Sequence, residues 1–364
     1  MSSKTNILKA VLKHDVYPAL GCTEPISVAY AASVAADRLK GSISGVKISV
    51  DPGIYKNGFA VTIPNTHGER GNLIAGVLGA LVRRPDLKME LLKAVTEDHL
   101  REAREIIKAQ RAAISCDKSK KRIYVDVSVR AGESTARAVM EGGHTNLTKL
   151  TLNGKSVIEK GDKSASAADG KEEDFRGFLK NTTLLNLVDM AEGMDKEDYE
   201  YIKSGIAMNM AISEAGKALG KVGCYVSGLV EDGYRVKDVF SSCEALTASA
   251  ADARMSGLNM PVMASGGSGN QGIVAILVPY FVGKHGGVPE EKIVKSIGLS
   301  HLVNSYIKCF TGDLSPLCGC AIAAGVGAAA AIVYQHTGKD EGKIALAVNN
   351  LVSDLGGMLC DGAK

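Results

Sequence analysis

The chain has 364 residues, 45% apolar and 23% charged, with 43 basic against 40 acidic side chains for a formal net charge of +3. That balance excludes disorder and collagen-like bias, and scattered Lys and Arg, with only Lys118 to Arg122 forming a basic run, give no footprint for nucleic acid or an anionic membrane. The length exceeds the roughly 250 to 300 residues at which a single core stops growing, so two lobes are expected.

In chain order, residues 3–40 read as helix, break and helix, with Pro18 to Pro25 forming the break and an Ala-rich helical pattern following it. From Val46 the period changes to that of strands: VKISVDPG and FAVTIP alternate around turns at Gly53 and Asn57-Gly58. Helix returns over 73–115, and short strands follow over 122–160. The segment from Lys160 to Asp174 carries no apolar period and reads as a linker. Almost every later element looks helical. The predicted fold class is α+β: a mostly helical Ala/Gly-rich catalytic domain, 1–44 and 165–364, with a smaller α+β domain, 45–164, inserted in it. The 41 glycines and the 5% aromatic content suggest helices packed closely through small side chains. The apolar stretch from Cys320 to Tyr334 falls short of the roughly 20 residues of a membrane span and reads as a buried core helix.

Eight cysteines without a signal-peptide pattern at the N-terminus point to a reducing cytoplasm. There, thiols serve as metal ligands, catalytic groups or core residues more often than as cross-links. Cys22, between Gly21 and Pro25 at a helix start, is either a thiolate favoured by the helix dipole or a small buried hydrophobe in a turn. Cys309, Cys318, Cys320 and Cys360 form a late group. Three thiolates suffice for an iron-sulfur cluster that keeps one iron open as a Lewis acid, while the bland reading is Ala-rich core cysteines. Ahead of an apolar helix, the loop 263–272 is either an anion nest, with Ser268, Asn270 and Gln271 beside free N–H groups, or a simple Gly-rich turn. It is neither a dinucleotide fingerprint nor a P-loop. His144 in Gly142-Gly-His-Thr-Asn146 reads as part of a site loop, Asp252 and Arg254 as a site pair or a structural ion pair, and His301 as a satisfied core residue.

Taken together, PALGCTEPIS, KNGFAVTIP, GGHTN, ASAADARMSG, SGGSGNQGI, SHLVNSYIK, LSPLCGC and GGMLCDGA resemble the L-cysteine desulfidase family. The catalytic part of that family looks like the alpha chain of iron-sulfur L-serine dehydratases. The resemblance implies a [4Fe-4S] cluster, independence from pyridoxal phosphate, and release of hydrogen sulfide, ammonia and pyruvate from L-cysteine. It assigns Cys22 as the catalytic thiol and Cys318 and Cys360 as two cluster ligands, whereas Cys116, Cys224, Cys243, Cys309 and Cys320 match no family ligand. It also implies that Thr23, Glu24, His144, Thr145, Asn146, Ser268, Asn270 and Gln271 bind the substrate. The family's third ligand falls beyond Cys360, and the sequence stops at Lys364 before reaching it, so the cluster is expected of the intact enzyme and left open for this chain, with recruitment of Cys320 in place of the usual set as one alternative. L-Serine dehydratase and a cluster-free amino-acid-binding regulatory protein are the alternatives. The expected partner is a small L-amino acid, with no nucleic acid and no membrane; a homodimer is compatible with the helices. The reading requires Cys318 and Cys360 to converge, with Cys22 not remote from them.

Overall fold

A computed structural model describes residues 3–159, 170–312 and 314–362. The fold is α+β and the chain divides into two compact units, one of Met1–Ala19, Ala168–Arg254 and Met260–Cys360, the other of Leu20–Ala167, Met255–Asn259 and Asp361–Lys364. The linker expected from Lys160 lies outside the described residues as far as residue 169.

The chain begins in the first unit with α1 (Ser3–His14) and β1 (Pro18–Leu20), then builds the second. There α2 (Thr23–Ala36) is followed by β2 (Gly45–Val50), α3 (Pro52–Asn57), α4 (Asn72–Val82), a 3-10 stretch over Pro85–Ala94, and α5 (Glu97–Lys108). Five more strands complete the sheet: β3 (Ala112–Cys116), β4 (Tyr124–Ala131), β5 (Ser134–Glu141), β6 (Leu147–Leu152) and β7 (Lys155–Glu159). The strand order is β3-β2-β4-β5-β6-β7, with β2 and β3 parallel and the other pairs antiparallel. Alternate residues Val125, Val127 and Val129 on β4 and Ala136, Ala138 and Met140 on β5 are buried, and α2 packs across those two strands.

That packing explains why the second unit starts at Leu20 and not at residue 45: α2 is buried along nearly its whole length and travels with the sheet it covers. Small residues set the approach of α2 to α4, since a Cβ on Gly79 would meet the Ala29 carbonyl oxygen. Three local expectations are corrected. After β2 the chain turns into α3, because Pro52 sits at the first helical position and Asp51 Oδ1 accepts from Gly53 N at 2.7 Å and Ile54 N at 3.1 Å. FAVTIP contributes only a bridge between Thr62 and Arg70. The helix expected over 73–115 breaks where Thr96 and His99 form a capping box at the start of α5, and its last residues become β3.

Back in the first unit the chain is helical: α6 (Gly170–Lys180), α7 (Leu184–Glu192), α8 (Lys196–Lys217), α9 (Val222–Glu231) and α10 (Val239–Met255). A short β8 (Pro261–Met263) leads into α11 (Gly269–His285) and α12 (Glu290–Thr311). A π-helical turn, Cys320–Gly325, runs directly into α13 (Val326–Thr337), and α14 (Glu341–Leu355) follows. The helix α12 is buried from Ile293 to Ser305 with α11 and α13 against it. Glycines mark the close approaches: a Cβ on Gly216 would meet Ser249 O of α10, and one on Gly327 would lie 2.5 Å from Ser300 O of α12. By length and composition Cys320–Thr337 could cross a membrane, yet 56% of it is buried within the fold, as in a core helix.

Candidate active site

In the second unit the chemistry gathers at the start of α2. Cys22 is its N-cap, with extended backbone and no side-chain cap bond. Its thiol instead donates to Glu24 Oε2 at 2.7 Å, Thr23 Oγ1 donates to the same oxygen at 3.2 Å, and Asn57 Nδ2 donates to Glu24 Oε1 at 2.9 Å. A carboxyl group that is only 6% exposed therefore receives donors on both oxygens, so its buried polar atoms are satisfied. Its position in the first turn of α2 also complements the helix dipole. One turn on, Ser27 Oγ donates to the His144 carbonyl at 2.6 Å, bringing the GGHTN turn onto α2. His144 Nε2 is buried and has no hydrogen-bond partner among the described residues. Asn146 has a structural task, donating through Nδ2 to Glu141 O at 2.9 Å and so closing the β5–β6 turn, and Thr145 is exposed. Of the residues expected here, Cys22, Thr23 and Glu24 come together, and the backbone of His144 is held one turn further along α2. Asn57 was legible only as part of KNGF.

In the first unit the glycine loop is tied to the chain start: Gly267 N donates to Asp15 O at 3.0 Å and Ala264 N to Tyr17 O at 2.9 Å. Ser265 and Ser268 bond each other's backbone across Gly266 (φ +55) and Gly267 (φ +72), a reversal that a side chain would strain. Ser268 is the N-cap of α11 but makes no side-chain cap bond, so the N–H groups opening this 17-residue helix are not spent on it. Arg254 Nη1 donates to Asn270 Oδ1 at 3.1 Å, and Asp252 Oδ2 accepts from Gly223 N at 2.8 Å near the start of α9.

Behind the loop lies a polar set that the sequence did not reveal. Asn304 Nδ2 donates to Ser265 Oγ at 2.9 Å, and Ser265 Oγ lies 2.8 Å from His301 Nδ1. His301 is fully buried, and burial pushes its imidazole down to about 3. It is buried as a core residue is, but among the described residues its Nε2 has no partner, nor do Asn304 Oδ1, Ser305 Oγ and Gln271 Oε1. A Cβ on Gly266 would lie 3.0 Å from Asn304 Nδ2, 3.1 Å from Lys308 Cγ and 3.2 Å from Gln271 Oε1, so these side chains crowd one spot.

The late cysteines converge on the same loop. Cys318 N donates to Met358 O and Cys360 N to Pro316 O, each at 2.8 Å, with Leu317 bridged to Leu359. Two thiols far apart in sequence are thus held on paired backbone, as the sequence reading required. Cys320 joins them: a hydrogen bond with Cys318, then burial and the charges of Cys318 and Cys360, hold its thiol well above its usual range. Arg254 acts on it in the opposite direction. A Cβ on Gly319 would meet Gln271 Nε2, which places the glycine loop's amide against the Cys318–Cys320 turn. Elsewhere, burial raises Cys243 to about 11, and Cys309 donates to Ser305 O at 3.2 Å, so neither is poised for chemistry.

Soft, paired sulfurs are the donor chemistry of an iron-sulfur ligand loop. Cys318 and Cys360 suit that role. Among the described residues, however, no three His, Cys, Asp or Glu side chains are placed to hold a metal ion.

Residues 86–364 match the family described as serine dehydratase alpha chain. A UPF0597 protein of Geobacter sulfurreducens is 55% identical over 359 residues, spanning 99% of this chain and 83% of that protein. A UPF0597 protein of Elusimicrobium minutum is 50% identical, spanning 99% and 84%. One from Clostridium tetani is 37% identical, spanning 100% and 84%. No solved structure matches the chain.

Proposed function

Because the chain belongs to the serine dehydratase alpha chain family, we propose that it is a lyase eliminating the β-substituent of an L-amino acid, with L-cysteine as the substrate. Hydrogen sulfide, ammonia and pyruvate are the products. L-Serine dehydration is the second reading, favoured by the family match itself. The observation that carries the lyase reading is the pairing of Cys318 with Cys360 beside the Gln271 amide. The proposed setting is the cytoplasm.

The α-proton of an amino acid is weakly acidic, and its removal needs a base and a held carboxylate. Cys22 is the proposed base, with Glu24 as the neighbour that receives its thiol proton and Asn57 fixing that carboxylate. Thr23 lies in the same group, with the backbone of His144 one turn further along α2. In the first unit the N–H groups opening α11, with Ser268, Asn270 and Gln271, bind the substrate carboxylate. Cys318 and Cys360 are the proposed ligands of the family's [4Fe-4S] cluster, which supplies a Lewis acid for the departing group when bound. The elimination leaves an aminoacrylate, which tautomerises and hydrolyses to pyruvate and ammonia.

Anaerobic purification with iron and sulfide, followed by parallel assays of sulfide from L-cysteine and pyruvate from L-serine, tests the proposal. Faster release from L-cysteine is expected. Faster release from L-serine would replace the substrate, and no elimination of either by iron-loaded protein would remove the lyase reading.

A further inference from the structure

His301 has no part in the mechanism above, yet its surroundings are built. Asn304 Nδ2 donates to Ser265 Oγ, which lies 2.8 Å from His301 Nδ1 and carries one proton that it can donate there. An accepting Nδ1 on a neutral ring fixes the ring proton on Nε2. In that arrangement the ring presents an N–H donor whose back is braced by Ser265 and Asn304 and whose Nε2 has no partner among the described residues. Asn304 Oδ1 and Gln271 Oε1, also buried and without a partner among the described residues, lie in the same crowd around Gly266 and, as acceptors, suit the substrate's ammonium group and not its carboxylate. A buried polar atom with its hydrogen bond unmade is costly, and an acceptor on a ligand would relieve that cost at Nε2.

We propose that His301 Nε2–H donates to the α-carboxylate of the amino-acid substrate, with Ser265 and Asn304 as the residues that position it. The inference rests on the reading of the chain as an amino-acid lyase. Taking the α-proton drives negative charge onto the carboxylate, and a preorganised neutral donor gains strength as that charge grows. An imidazolium would instead grip the resting carboxylate, binding the ground state without the same gain. Deep burial, which keeps the ring neutral, suits the first role.

The test uses the full chain with 15N-labelled histidine and L-alanine, which carries the head group but no leaving group. Among the seven histidines, the resonances missing from His301→Gln identify His301. The expected spectrum is a neutral ring with its proton on Nε2, unchanged between pH 5 and 8 and shifted by L-alanine. By calorimetry His301→Leu should bind L-alanine about ten- to a hundredfold more weakly, the loss of one hydrogen bond to a charged group, while His301→Gln, which keeps an N–H donor, retains most of the affinity. A proton on Nδ1, a ring unmoved by bound L-alanine, no binding of L-alanine, or equal affinities of the two variants would each overturn the inference. If thermal melts show a variant to be unfolded, the wild-type spectrum decides alone. Absent elimination with the ring still moved by L-alanine would overturn only the lyase reading.

Discussion

Two helix starts carry the candidate chemistry, and they are built in opposite ways. At α2 the candidate groups are consecutive, Cys22, Thr23 and Glu24, with Asn57 added from the end of α3. At α11 they come from separate segments: Ser265 and Gln271 from the loop, His301 and Asn304 from α12, Gly319 from the turn before the π-helical stretch. Both helices have an N-cap side chain that does not cap. The contrast is with Thr96, Thr183 and Asp195, which each accept from a backbone N–H three residues on. Ser268 belongs to a residue type that caps well, and its failure to do so marks the loop as shaped for something other than helix stability.

The largest effect is expected at the first of these helix starts. Removing a positioned base costs typically 10²–10⁴-fold in rate, so Cys22→Ala should lose elimination on that scale while binding L-alanine as before. Wild-type-like turnover would leave the α2 group with a structural role only and end the parallel between the two starts.

Next in size are the glycines that let each unit close. A Cβ on Gly79 would run into Ala29 O, and one on Gly272 into Met263 O, both backbone atoms that cannot swing aside. Overpacking of this kind costs about 1–3 kcal/mol, so Gly79→Ala and Gly272→Ala should each lower the urea midpoint. Gly319→Ala meets only the end of the Gln271 side chain and should cost less stability but disturb L-alanine binding. Equal losses of stability at all three would mean that the Gln271 contact is ordinary packing.

His301 gives the first unit a pH signature. Its pKa falls from 6.5 in the unfolded chain to about 3 in the fold. Between those values the unfolded state binds the extra proton, so acid favours unfolding. The contribution is fully present above about pH 7 and is lost as pH falls from 6.5 toward 3, at up to about 1.4 kcal/mol per pH unit. His301→Gln should flatten that slope in denaturation at pH 4.5 against pH 7.5. An unchanged slope would assign the acid sensitivity to other groups.

The same contrast explains what was readable. The α+β fold, the strands β4 to β7 and the thiol at the start of α2 follow from period and local chemistry, which neighbouring residues carry. Convergence of Cys318 with Cys360 was required by the resemblance to a known family, since nothing in their spacing encodes the Leu317–Leu359 bridge. His301 is buried as its core reading expects, but the unpartnered Nε2 and the Ser265 contact come from segments far apart in sequence, so the helix pattern of α12 carries no sign of them. β3 was absorbed into the helix before it, since its role depends on the parallel partner β2.

The smallest effect separates the two kinds of helix start directly. Thr96 Oγ1 accepts from His99 N at 3.3 Å, and losing such a cap costs about 1 kcal/mol. Thr96→Ala should therefore lower the melting temperature measurably. Ser268 makes no such bond, so Ser268→Ala should leave melting unchanged and weaken L-alanine binding instead, by the few-fold that one neutral hydrogen bond is worth. If Ser268→Ala melts early and binds normally, its hydroxyl is a cap in solution, and the N–H groups of α11 are already spoken for.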